Sequence, residues 1–116
     1  MDERLENALK FANFRHTLFL EKQRLQEKLK TELSIGYNGG RFYLDRNFLI
    51  YLDTITPEEG IGSATLLDEK TTPIFIEDLS EFKFYVSGVY NKAVNEYQMA
   101  FQELKTKRTV KAVVDL

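Results

Sequence analysis

The run Leu33-Ser34-Ile35-Gly36-Tyr37-Asn38-Gly39-Gly40-Arg41-Phe42-Tyr43-Leu44 constrains the fold more than any other part of the chain. Here the apolar spacing changes abruptly from helical to alternating. Ile35 and Tyr37 alternate with Ser34 and Gly36, and Phe42 and Leu44 alternate with Arg41 and Tyr43. Between them Asn38-Gly39-Gly40 supplies residues that tolerate positive φ, which tight hairpin turns require. The run predicts a β-hairpin.

On its N-terminal side, residues 3 to 33 predict one long helix. Leu5, Leu9, Ala12 and Phe19 lie along one side, and Leu18, Leu25, Leu29 and Leu33 carry a stripe on at spacings of seven, four and four. From Glu21 to Lys30, charges of both signs alternate between widely spaced leucines, the pattern of a narrow seam packed coiled-coil fashion on one partner helix. Thirty residues at ~1.5 Å each reach roughly 45 Å, more than a domain of this size needs across its core. A second long helix must lie alongside, in this chain or in a neighbouring one.

After the hairpin, the segment Asp45 to Asp53 reads two ways. Asp45 can cap a helix whose face is Phe48, Leu49 and Leu52, the favoured reading. The same residues are good strand formers. Thr54 to Gly62 reads as a loop, since Gly60 and Gly62 cut short the helix start at Thr56-Pro57-Glu58-Glu59. Ser63–Asp68 and Pro73–Glu77 flank Glu69-Lys70-Thr71-Thr72 and predict a second hairpin. Asp78-Leu79-Ser80-Glu81 has capping-box spacing and opens a second long helix to about Leu104. Its stripe is Phe82, Val86, Val89 or Tyr90, Ala93, Tyr97, Ala100 or Phe101, and Leu104. The basic tail from Lys105 to Leu116 is compatible with an added strand or with no fixed structure. The expected class is α+β: a small antiparallel sheet or partial barrel over 34–77, flanked by long helices, in a single domain of 116 residues.

Composition narrows the chemistry. With 43% hydrophobic and 29% charged residues, the chain is a folding sequence without a disordered bias. No apolar run approaches a membrane span, and the acidic helical N-terminus is not that of a signal peptide. The absence of cysteine removes disulfides, thiolate catalysis and Cys-based zinc sites, and suits a cytoplasmic protein. His16 is the single histidine, so neither a catalytic His pair nor a His-rich metal site is available. Asp45, Asp53, Glu58, Glu59 and Asp68 match no cation-binding loop. Asn38-Gly39-Gly40-Arg41 lacks the Gly-Lys-Ser/Thr end of a phosphate loop. The expectation is therefore no enzyme, no catalytic residue, no metal and no cofactor.

Two sets of binding candidates remain. Tyr37, Asn38, Arg41 and Tyr43 put aromatics beside an arginine on a predicted sheet, an arrangement that can stack bases. Lys105, Lys107 and Arg108 can add phosphate contacts from the basic tail, against an acidic middle. Leu18, Leu25, Leu29 and Leu33, with Tyr90 and Tyr97, are candidates for a helix-mediated oligomer interface.

The order of elements, with Ser34-Ile35-Gly36-Tyr37-Asn38-Gly39-Gly40-Arg41-Phe42 and Leu67-Asp68 spaced before Pro73-Ile74, resembles small proteins attributed to tailed phages of marine cyanobacteria and found in ocean metagenomes. The resemblance implies an Sm-like β-barrel assembled as a homo-oligomeric ring, binding RNA or single-stranded DNA in the cytoplasm of an infected cell. Four strands are legible where Sm folds use five, so Asp45–Leu52 or the tail would supply the fifth. The alternative is a phage assembly or scaffold protein acting through its helices.

Overall fold

The computed structural model describes residues 2–115, with side chains described up to residue 107. The element order is α1 (Glu3–Glu32), β1 (Ser34–Tyr37), β2 (Gly40–Tyr43), α2 (Arg46–Ile55), β3 (Ala64–Leu67), β4 (Pro73–Ile76) and α3 (Leu79–Asp115). The class is α+β, two antiparallel hairpins flanked by long helices. The strands make two separate two-stranded sheets, and among the described residues they do not close into a barrel. Neither candidate supplies a fifth strand, because both are helical.

The chain divides into two compact units. One holds the residues up to Leu29 together with those from Asn95 onward, and the other runs from Lys30 to Val94.

In the second unit, the β1–β2 hairpin pairs Ile35 with Phe42 and Tyr37 with Gly40 around a two-residue turn. Asn38 and Gly39 have φ of 50° and 85°, the paired positive values of a type I′ turn. The inward residues Ile35, Phe42 and the following Leu44 are buried. Asp45 caps α2 by accepting the Phe48 N–H at 2.8 Å, which decides the 45–52 segment for helix. In the β3–β4 hairpin the inward residues are Leu66, Ile74 and Ile76. Asp78 then accepts the Glu81 N–H at 3.0 Å and starts α3. Leu79, Phe82 and Val86 of α3 complete the core. The Phe82 ring lies 4.6 Å from that of Tyr37 and 5.6 Å from that of Phe42, centroid to centroid.

The two hairpins are clasped to each other. Glu69 N–H donates to the Arg41 carbonyl at 2.9 Å, and Arg41 N–H donates to Asp68 Oδ2 at 3.2 Å. Asn38 Nδ2 reaches the Phe75 carbonyl at 3.1 Å. Asp68 Oδ1 also accepts from the N–H groups of Lys70 at 2.9 Å and Thr72 at 2.8 Å. The Thr72 N–H above all, joined by those of Arg41 and Lys70, holds the Asp68 carboxyl below the ordinary carboxylate value, against a smaller opposing effect of desolvation.

In the first unit, α1 packs on α3 of the same chain. Leu18 shares a groove with Phe101 and Leu104, and Leu25 shares another with Ala100 and Leu104. Lys22 Nζ sits 6.0 Å from the centre of the Phe101 ring. The predicted end of α3 near Leu104 and the two readings of the tail are corrected: the helix continues through 105–115. No Gly or Pro follows Leu104 to stop it, and the Thr106 hydroxyl bonds back to the Gln102 carbonyl at 2.9 Å. No helix among the described residues is long and apolar enough to cross a membrane.

Candidate interaction surface

The leucine seam expected to meet a partner helix finds it within the chain. Phe14, Leu18, Leu25 and Leu29 are half-buried, and Leu18 and Leu25 lie against α3. Leu33 is in the core of the second unit. Tyr90 and Tyr97 are half-buried, with the Tyr97 ring 5.9 Å from that of Phe101.

The single stripe expected along α1 is in fact two. At about 100° per residue, Leu5, Leu9, Ala12, His16, Phe19 and Leu20 fall within an arc of about 100°. Phe14, Leu18, Glu21 and Leu25 cluster about 180° away. The seam on α3 therefore uses one side of α1, and the first row projects from the opposite side. Its large members stay in water: Leu5 is 50% exposed, Leu9 46%, Phe19 57% and Leu20 45%. Ala12 and His16 are exposed as well. Leu5, Leu9, Ala12 and Phe19 are visible in the sequence as one side of a helix. That this row stays in water while the opposite side is covered emerges only from the burial of each α1 position.

The residues proposed for nucleic-acid contact are distributed differently. Tyr37 faces inward, half-buried against Phe82, with the Tyr85 ring at 5.9 Å. Burial, reinforced by the charges of Glu81 and Asp78, pushes its phenol above the ordinary tyrosine value. Asn38 is occupied in the turn and in the bond to Phe75. Arg41 and Tyr43 share the outward face of the β1–β2 hairpin, where Tyr43 is exposed. The Arg41 guanidinium donates through Nη2 to the carbonyl and hydroxyl of Ser34, both at 3.3 Å. Lys105 and Lys107 belong to the other unit, lining the α1–α3 grooves with Lys22 and with Glu21, Arg24 and Glu103. The Arg108 side chain lies outside the described residues. Among the described residues no three His, Cys, Asp or Glu side chains gather closely enough to hold a metal ion.

Comparison with protein-family models, curated proteins and solved structures finds no match to this chain.

Proposed function

We propose that this chain is a non-catalytic assembly protein that works by helix-to-helix contact, presenting the outward stripe of α1 to an apolar stripe on a helix of another chain. One observation carries the reading: α1 is apolar on two opposite sides, and α3 accounts for one of them. A helix serving only its own fold needs one apolar side. Leaving four large side chains of a second side in water favours a partner surface. The phage accessory role implied by the resemblance fits this mode of action.

The test is site-specific photo-crosslinking in an extract of the source cells, with a photoreactive residue at Leu9. The expected result is a discrete covalent protein adduct that is lost when Phe19 and Leu20 are both changed to Asp. Labelling no different from that given by the same probe at Lys28, exposed and outside the stripe, would refute the reading.

A second reading, contact with single-stranded nucleic acid, has one feature in its favour: Arg41 and Tyr43 lie on one outward face. It is weakened by the tie of Arg41 to Ser34 and by neighbouring Asp68 and Glu69. Fluorescence titration with single-stranded RNA and DNA across salt concentrations tests it. The reading requires salt-sensitive binding that Arg41→Ala reduces.

A further inference from the structure

We infer that the partner of the outward α1 stripe is the same stripe of a second copy, the two helices lying parallel and in register. This rests on the assembly reading above and adds to it the identity and direction of the partner.

The stripe has coiled-coil spacing. Leu5, Leu9, Ala12, His16 and Phe19 follow one another at intervals of four, three, four and three. In heptad terms Leu9 and His16 stand at a, and Leu5, Ala12 and Phe19 at d. That alternation lets two helices mesh along a common seam. The positions that border the seam then fall into two edges. The g edge carries Ala8, Arg15 and Lys22, and the e edge carries Glu6, Asn13, Leu20 and Glu27.

Each edge thus has charge of one sign, basic on g and acidic on e. In a parallel pair, the g edge of each helix meets the e edge of the other. Lys22 then faces the partner's Glu27, twice by symmetry, and Arg15 extends its stem over the partner's Leu20. In an antiparallel pair g meets g and e meets e. With the stripes overlapped so that Leu5 lies near the partner's Phe19, Arg15 then falls opposite the partner's Ala8, and Glu6 opposite the partner's Leu20. The antiparallel arrangement therefore lacks the two Lys22–Glu27 ion pairs that favour the parallel one. In the monomer Arg15 and Lys22 lie over the rings of Phe11 and Phe101, at 5.8 and 6.0 Å from their centres. Parallel pairing redirects both side chains toward the partner, giving up the Lys22 contact with Phe101, while Leu18 and Leu25 keep their places beside α3.

The polar His16 at a sets a further expectation. Polar residues at a fix register at a cost in affinity. His16→Leu should therefore tighten self-association.

The experiment combines native mass with cysteine cross-linking, for which the cysteine-free chain is well suited. Light scattering after size exclusion should give twice the chain mass, with dissociation on dilution. Leu9→Asp with Phe19→Asp should raise the dissociation constant by about 100-fold or more, as loss of central apolar anchors does. Because both side chains are exposed in the single chain, its circular dichroism should keep the helical signal. Under mild oxidation Leu5→Cys should form a disulfide-linked dimer by itself. A link formed only between Leu5→Cys and Leu20→Cys chains would mean an antiparallel pair and overturn the inference. So would a wild-type monomer at the highest soluble concentration. That outcome would leave the assembly reading standing on its own cross-linking test.

Discussion

Adding one methyl group at Gly40 tests how the two hairpins are held together. A Cβ at this position would lie 2.6 Å from Ile74 Cγ1, 2.8 Å from Ile74 Cδ1 and 3.2 Å from Asp68 Cβ. Carbon atoms in contact prefer roughly 3.5–4.0 Å, so Ile74 must retreat by about 1 Å. It is only 6% exposed and has little space to do so. Overpacking of this kind costs about 1–3 kcal/mol. Alanine recovers about 0.5–1 kcal/mol relative to glycine within a strand. Gly40→Ala should therefore destabilise the protein by about 1–2 kcal/mol net. Ile74→Ala alone should cost about 2–5 kcal/mol. In that background Gly40→Ala should be neutral or slightly stabilising, because the Ile74 atoms are gone and the strand preference for alanine stands against only the 3.2 Å approach to Asp68 Cβ. Urea unfolding of the four proteins, followed by circular dichroism, gives the coupling directly. Gly39→Ala is the contrast: φ is +85° and nothing lies within 4 Å of the added Cβ. Its cost, about 1–2 kcal/mol of backbone strain, should not change with residue 74. If Gly40→Ala costs the same with Ile74 and with Ala at 74, the contact does not govern this position and the reasoning fails.

Three further outcomes follow from the same geometry. Asp68 binds its proton less readily in the folded chain than in the unfolded one, so its contribution to stability is present above the ordinary carboxylate value and is lost as pH falls through the lowered one. Acid titration of the urea midpoint should show this loss in the wild type and a shallower dependence in Asp68→Asn, which is less stable at neutral pH; identical slopes would refute it. Asp45→Ala removes the acceptor for Phe48 N–H and should cost about 1 kcal/mol in urea unfolding. Leu104→Asp places a charge between Leu18 and Leu25 and should lower the helical circular-dichroism signal; an unchanged spectrum would contradict packing of α1 on α3.

Much of the local architecture was legible in the sequence because its causes are local. Asn38-Gly39 specifies the turn through backbone conformation, Asp45 and Asp78 start helices with their own carboxylates, and the leucine spacing marks α1 as a helix with a packed side. The candidate site was legible in part: Leu5, Leu9, Ala12 and Phe19 can be read off as one side of a helix. Tertiary structure alone decided the rest. It chose α3 of the same chain as partner for Leu18 and Leu25, and so left the opposite row in water. It turned Tyr37 inward and tied Arg41 to Ser34. It also gave neighbouring glycines different reasons to exist, a positive φ at Gly39 and the approach of Ile74 at Gly40. Turns, caps and periodicity act over a few residues. Which apolar side is covered depends on what the rest of the chain brings against it.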